Sequence, residues 1–466
     1  MAGANRAGEQ PRVVVVGGGI SGLACAWRLQ RSGLAVTLLE ASANAGGLVG
    51  TVERDGFLFE SGPQSFQGTE ILSGLFRELA IESEVVIADP QAPRFIYRGK
   101  KLRKIPMSPQ SVIASSLLGA ASRWKIASEP FRKTRPPGEE ETIASFVRRK
   151  FGHEILEYLV APFVSGVYAG DPEKLSLRAA FPTLEEWERE YGSVLRGAKK
   201  SREAKGARPG PPPLCSFRHG LRTLMEALAR SLGESARMSA PVQSIAREES
   251  SGCASYEVRF TQNGKSDSVR ASAVVMATPA YIASSLLERV SQRLAATLSG
   301  IAYAPVAVIA SGYAESQFKN EIAGFGVLVP RSEGIRTLGT VFNSALFPGR
   351  APARSVTITS FVGGATDEAI VGEPDDEIAK IVTGENAALL QITGTPVVQA
   401  VWRHPKALPQ YNLGHGHVVE NVRDAERKLP GLYFAGNYLE GPALGKCVEE
   451  AFQTADAAAR YLSPTA

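Results

Sequence analysis

The run Arg12-Val13-Val14-Val15-Val16 feeds directly into Gly17-Gly18-Gly19-Ile20-Ser21-Gly22, and no other feature constrains the chain as strongly. An apolar run of strand length bounded by glycine suits a parallel strand buried on both faces. The residues that follow, LACAWRLQ, have helical spacing, and a second apolar strand is predicted over 35–39, ending at Glu40. In such a strand–turn–helix, Gly17 permits the tight turn, Gly19 lets a phosphate approach the backbone, and Gly22 lets helix and strand lie close. The free amides at the helix start, at the positive end of its dipole, suit a diphosphate. Glu40 stands 18 residues past Gly22, where a carboxylate can accept from ribose hydroxyls. The expectation is a right-handed βαβ unit opening a dinucleotide-binding α/β fold.

Further glycine turns bear on which dinucleotide. Ala45-Gly46-Gly47-Leu48 follows the second strand, then Gly62-Pro63-Gln64-Ser65-Phe66, and Gly436-Asn437 lies near the far end. A nicotinamide cofactor needs one glycine loop. Several backbone approaches spread along the chain suit a flavin gripped along its length, so FAD is expected rather than NAD. The chain shows no nucleophile–base pair, which fits chemistry carried by a cofactor. Ser21 belongs to the phosphate loop and not to a nucleophile elbow.

Composition excludes several other classes. Cys25, Cys215, Cys253 and Cys447 are the four cysteines, without a CxxC, and there are five histidines. No zinc ribbon, iron–sulfur cluster or disulfide scaffold is expected, and no metal. Cys25 and Cys447 read as small buried hydrophobes. His415 and His417 would share one strand face, but without a third ligand they read as loop histidines. A net charge of +5 does not imply nucleic acid. No apolar stretch reaches the ~18 to 20 residues needed to span a bilayer, and MAGANRAGEQ has no apolar signal region, so a cytoplasmic protein is expected.

The middle of the chain is less regular. Between Arg94 and Arg135 eleven basic residues, Arg98, Lys133 and Arg135 among them, stand against one acid, Glu129. Phe95, Ile113, Leu117 and Trp124 are interleaved with them. Such a stretch is either a solvated basic face or a surface that lies on anionic lipid. Glu185, Glu186, Glu188 and Glu190 are expected on a solvated helix face. Residues 197–213 read as a mobile loop or linker. Leu221 to Leu232 is helical by spacing, 256–260 and 273–277 are strand-like, 431–437 is a strand into a glycine turn, and 449–462 is a closing helix.

Taken together, GGGISGLACAWRL, Glu40 with Gly46-Gly47, GPQSF, and the terminal GNYLEGPALGKCVE resemble the flavin amine oxidase superfamily. Within it, PFVSGVYAGDP (162–172), APRF (92–95), SFRHGL (216–221), TLGT (337–340), LFP (346–348), FVGG (361–364) and PQY (409–411) resemble the protoporphyrinogen oxidase family. The motifs run in the family's order from about residue 12 to 455. Two departures stand out: ASANAGG lacks an arginine before the glycine pair, and Gln64 stands where relatives often carry Asn.

The resemblance implies a discontinuous Rossmann-like FAD domain (1–90, 215–280, 416–466) of the p-hydroxybenzoate hydroxylase and amine oxidase type. A helical membrane-facing domain (91–214) and a mixed-sheet substrate domain (281–415) would complete an α/β chain. Carried onto this sequence, FAD contacts fall on Gly17, Gly18, Gly19, Ile20, Ser21, Gly22, Glu40, Ala41, Gly47, Leu48, Gly62, Pro63, Gln64, Ser65, Val242, Asn437, Pro442, Ala443 and Leu444. Substrate contacts fall on Arg94, Phe163, Gly166, Ile322, Leu338 and Phe361, with Arg94 gripping a propionate. The implied reaction oxidises protoporphyrinogen IX with dioxygen in three two-electron steps, releasing hydrogen peroxide. Coproporphyrinogen III oxidation stays open as an alternative, with a carotenoid desaturase, an amine oxidase or a non-catalytic flavin- or porphyrin-binding protein more distant. Peripheral attachment to the cytoplasmic face of the inner membrane is expected, and a homodimer is allowed.

Overall fold

The computed structural model describes residues 12–106, 111, 115, 117–132, 139–204, 212–250 and 253–463. The strand β1 (Arg12–Val16), the helix α1 (Ile20–Arg31) and the strand β2 (Ala35–Leu39) form where the apolar pattern puts them. β1 is the middle strand of a five-stranded parallel sheet, flanked by β2 and Ala273–Met276, with Ala236–Arg237 and Leu432–Phe434 outside them. Its valines serve two cores. Val13 and Val15 pack with α1 and the helices Arg222–Leu232 and Leu444–Leu462, while Val14 and Val16 pack with Tyr256, Val258 and Phe260 of a three-stranded antiparallel layer. Burial on both faces is why the run shows no polar alternation.

A second sheet has seven strands in the order Val398–Pro409, Tyr303–Ala314, Ser355–Gly363, Thr337–Val341, Gly326–Leu328, Arg94–Arg98 and Lys101–Lys104. The helix Asp375–Leu390 covers one face through Ile378 and Val382, which pack on Ala307, Ile309 and Val362. The other face meets the hairpin Thr51–Arg54/Phe57–Glu60 at one side and a helical layer at the other. No described helix is long and apolar enough to cross a membrane.

Several expectations are corrected. Residues 94–104, expected within a helical segment, are strands of the seven-stranded sheet, paired to 326–328 far along the chain. The 197–213 loop is in part the helix Val194–Ala204. Its first amides are held by a fully buried carboxylate: Glu129 accepts from Val194 N–H at 3.0 Å and Leu195 N–H at 3.3 Å. Residues 205–211 lie outside the described residues, as do Ile113, Lys133 and Arg135 of the basic segment. Glu188 is not on a solvated face but is buried, accepting from Arg149 at 2.7 and 2.9 Å and pairing with the fully buried Lys150 at 2.8 Å. Arg98 is not a solvated cation either. It pairs with Glu154 at 2.8 Å, lies 3.8 Å over the Tyr158 ring, and donates to the Leu117 carbonyl. His415 and His417 open the helix His415–Lys428 instead of sharing a strand face, the first buried and the second exposed. The closing helix begins at Leu444, five residues before the expected start.

Candidate active site

The glycine turn after β1 is shaped by close approaches. Gly17 has φ +108°, and a Cβ there would lie 2.7 Å from the Ala277 carbonyl oxygen. A Cβ on Gly22 would lie 1.9 Å from the Gly17 carbonyl oxygen, so helix and turn can touch only through glycine. Around Gly19, by contrast, a Cβ would meet nothing within 4 Å. Gly19 is also the N-cap of α1, and no side chain caps the helix amides. Uncapped amides facing open space are the arrangement a diphosphate completes. Glu40 closes the turn from the side, accepting from Gly18 N–H at 2.6 Å through one oxygen and from Ser42 N–H at 2.8 Å through the other.

The other glycine segments converge on the same place. Gly46 N–H donates to the Gly18 carbonyl at 2.8 Å, and a Gly47 Cβ would lie 3.4 Å from Gly19 Cα. Gly62 lies so close to Leu48 that its Cβ would be 2.1 Å from the Leu48 carbonyl oxygen. Ser21 of α1 bonds Cys447 of the helix Leu444–Leu462, whose N-cap Ala443 also has no side-chain cap, so two bare helix starts are neighbours. Leu48, Pro63 and Ala443 are exposed, and Asn437 and Pro442 half-buried. These residues fit FAD: a diphosphate cradle, an acid at the ribose position, and backbone approaches along a long ligand. Gln64 is turned inward, donating to the Glu60 and Gly62 carbonyls and accepting from Asn343 at 2.7 Å. Val242 lies half-buried at the start of its strand and Ala41 is exposed beside Glu40.

Buried carboxylates back this region. Burial raises Glu60 to about 7 although Thr51, Leu221 N–H and Arg350 stabilise its anion. Burial likewise raises Glu450 to about 8. Its carboxylate accepts from Gly436 N–H at 3.4 Å and from Arg423 at 3.1 Å, under the Gly436-Asn437 turn.

The seven-stranded sheet supplies the other wall. Strand register puts Ile96, Leu328, Gly339, Phe361, Val308 and Trp402 in one row across six strands, on the face away from the helix Asp375–Leu390. At one end Ile96 and Leu328 pack under the helical layer with Val164 and Tyr168. At the other, Trp402 packs with Phe57 and Phe59 of the hairpin that leads into the Gly62 turn. Phe361 is half-buried between them. Arg94 belongs to the adjacent row of the same face, opposite Gly326, which stands opposite Val341 and it opposite Thr359. Three strand steps separate Arg94 from the Phe361 strand, about 14 Å at the usual spacing. Its guanidinium lies 5.2 Å over the Phe325 ring, an orienting contact.

Gly166, on the helix Ala161–Tyr168, joins this wall: a Cβ there would come within 2.8 Å of Leu328 Cδ2, and one on Gly339 within 3.0 Å of the same atom. Leu338 is beside Phe361 and 2% exposed. Phe163, one turn before Gly166, is 47% exposed and leans on Phe181. Ile322 is not brought to this face. It packs with Tyr313, Ile358 and Leu389 on the side that the helix Asp375–Leu390 covers. Sequence reasoning missed Leu328, Trp402 and Phe325. Trp402 was open to discovery through the alternation Val398, Ala400, Trp402, His404, whereas Leu328 needed the cross-strand register.

The sheet order, the glycine turn entering a helix and the converging backbone cradle define a class: a dinucleotide-fold flavoenzyme with a second, seven-stranded sheet beside its cofactor fold. The model of the family described as flavin containing amine oxidoreductase matches residues 20–463. The chain belongs to that family and is an FAD-dependent oxidoreductase. It is 37% identical to the chloroplastic protoporphyrinogen oxidase of Oryza sativa subsp. japonica, covering 97% of this chain and 88% of that one. It is 27% identical to the coproporphyrinogen III oxidase of Bacillus subtilis (strain 168), covering 97% and 98%. A solved structure from Exiguobacterium sp. 255-15, a candidate protoporphyrinogen oxidase, shares the fold with a TM-score of 0.82 at 24% identity, over 97% of this chain and 99% of that one.

Proposed function

We propose that this chain oxidises protoporphyrinogen IX to protoporphyrin IX. The observation that carries the reading is the apolar row through Phe361, set between the glycine cradle and the helical layer, with Arg94 on the same face about 14 Å to the side. A porphyrinogen is an apolar disc with carboxylate tails, and that wall offers it an apolar floor with a cation at the rim. Bound FAD would supply the redox chemistry: the macrocycle would give up two electrons and two protons in each of three rounds, six hydrogens in all, as three O2 become three H2O2. The chain's own residues bind and orient. Phe361, Leu338, Leu328 and Trp402 hold the ring and exclude water. Arg94 pairs with a propionate through the two-pronged fork of its planar guanidinium. Gly166 lets the helical layer approach Leu328 of the wall closely. This row holds no acid or nucleophile, consistent with a wall that positions the substrate while the bound flavin would carry the redox step.

The stronger likeness to a protoporphyrinogen oxidase than to a coproporphyrinogen III oxidase favours the two-carboxylate substrate. The test is to load the protein with FAD and follow porphyrin fluorescence and peroxide with each porphyrinogen. Faster turnover of coproporphyrinogen would overturn the substrate, and flavin reduction by neither would overturn the reading.

We further propose that the helical layer rests on anionic membrane. Trp124 is 72% and Phe131 84% exposed, with Arg123, Lys125 and Arg132 beside them in sequence. Binding to phosphatidylglycerol vesicles that falls with salt supports this, and equal recovery from neutral and anionic vesicles counts against it.

A further inference from the structure

One wall residue stands where regular strand pairing would not put it. Thr337 is opposite Val362 and Gly339 is opposite Phe361, so between them Leu338 is one residue more than its partner strand has. That is a β-bulge immediately beside Phe361. A bulge re-aims a side chain at the expense of a regular ladder, and the surrounding structure has to hold it.

Glu385, on the helix Asp375–Leu390, supplies the hold from behind the sheet. Its carboxylate accepts from Arg336 N–H at 2.8 Å, from Thr337 N–H at 2.9 Å and from the Thr337 hydroxyl at 2.6 Å. Arg331 takes the same residue from its other end, donating to the Arg336 carbonyl and to the Gly363 carbonyl, each at 2.8 Å. The Arg336 side chain is pinned in turn, with both its contacts on Asp367 within 2.9 Å. Both backbone polar groups of Arg336, two residues before the bulge, are therefore held by charged side chains outside the ladder. Gly363 ends the partner strand, so the Arg331 contact also fixes the two strands against each other. Three charge-assisted bonds on two consecutive residues exceed what is needed to lay a helix on a sheet whose apolar contacts already hold it.

We infer that Glu385 is a positioning residue for substrate, with Arg331 as its counterpart, and that it acts by aiming Leu338 at the porphyrinogen. The inference rests on the reading of Leu338 and Phe361 as substrate wall. Glu385 does not itself touch the reacting atoms, so its loss should loosen binding and leave the flavin alone.

The experiment is a double-mutant cycle in the FAD-loaded enzyme, with Glu385→Gln, Leu338→Ala and both together. Expected is a KM for protoporphyrinogen raised about tenfold by Glu385→Gln with kcat within about twofold, and unchanged flavin content and visible spectrum. In the Leu338→Ala background the same substitution should change KM by less than about twofold, because the side chain it aims is already gone. Equal KM effects in both backgrounds would overturn the inference, as would a fall in flavin content matching the loss of activity. If Leu338→Ala raises KM while Glu385→Gln does not, the positioning role fails and the substrate wall stands. If Leu338→Ala leaves KM at the wild-type value, the wall fails and the inference with it. Should Glu385→Gln not fold, Thr337→Val, which removes only the hydroxyl bond to Glu385, carries the same cycle with the same outcomes.

Discussion

Replacing a glycine in the phosphate turn separates cofactor binding from folding only if the right glycine is chosen. Gly17→Val would fail for two reasons at once. The residue has φ +108° and its Cβ would sit 2.7 Å from a backbone carbonyl, so strain of about 1–3 kcal/mol arises before any ligand is considered. Gly19 is the informative position, because its backbone is extended (φ −73°, ψ 179°) and a Cβ would meet nothing within 4 Å. Gly19→Val should therefore leave the apoprotein's melting temperature within a few degrees of wild type. The same side chain would occupy the space in front of the α1 amides. Removing a diphosphate from two such amides, at about 1.5–3 kcal/mol for each bond to a charged group, loses about 3–6 kcal/mol. FAD affinity should fall by about 10² to 10⁴. Deflavinated protein titrated with FAD, read by quenching of flavin fluorescence, measures this directly. Gly19→Val protein that binds FAD within threefold of wild type would refute the diphosphate position, and an apoprotein that no longer melts cooperatively would refute the separation of the two glycines.

Four further outcomes are expected. Arg94→Ala should raise KM for the free acid by about 2–4 kcal/mol equivalent with a smaller change for a propionate ester, while Lys101→Ala, exposed on the next strand, changes neither; equal losses for ester and acid refute the anchor. Phe361→Ala should raise KM while flavin content stays full, and a melting temperature that collapses with activity would return Phe361 to ordinary core. Lys150→Met leaves Glu129 buried without its cation and Glu188 with Arg149 alone and should cost about 3–5 kcal/mol in urea unfolding, a loss below 1 kcal/mol contradicting the burial argument. Glu60 and Glu450 are raised by burial to about 7 and about 8 from 4.5, so the folded chain holds protons that the unfolded chain has released. Stability of the apoprotein should thus fall as pH rises from about 4.5 to 8 and level off above, and Glu450→Gln should flatten the upper part of that fall.

What was legible follows from how far apart the deciding residues lie. The βαβ opening was readable because a five-residue apolar run, a glycine turn and a helical repeat are each local signals. The strands Arg94–Arg98 and Lys101–Lys104 were not, because basic side chains mask an edge hairpin whose partner is Gly326–Leu328. The helix Val194–Ala204 reads as linker until Glu129 is seen to hold its first amides. Glu188 reads as solvated until Arg149 and Lys150, nearly forty residues earlier, are packed on it. At the candidate site, the glycine turns were readable because each is a local signal. The proposed substrate wall was only partly so, since cross-strand register decides which residues share its face: register puts Trp402 and Leu328 there, places Ile322 on the opposite side, and makes Leu338 a bulge.

Register also explains why the most specific stretch of the sequence carries no reacting group. PFVSGVYAGDP, FVGG and PQY are far apart in the chain but form one joint. The helix Ala161–Tyr168 ends at Ala169 with φ +47°, a left-handed turn that aims the Ala169 carbonyl at the Ala365 N–H, 2.7 Å away. A Cβ on Gly364 would come within 2.8 Å of that carbonyl oxygen, so the second glycine of FVGG is what lets the helix end reach the sheet. Gln410 donates to the Tyr168 carbonyl at 2.9 Å, and the Tyr168 and Tyr411 rings meet edge to face at 5.7 Å. The Tyr411 hydroxyl then donates to the carbonyl of Asn437, in the turn expected to lie on the flavin. The helical layer, the seven-stranded sheet and the Gly436-Asn437 turn thus meet through backbone carbonyls at Ala169, Tyr168 and Asn437. A disc-shaped substrate oxidised through a cofactor needs its two walls held at a set separation more than it needs an acid or a base. The residues of this joint are accordingly placed where they set that separation.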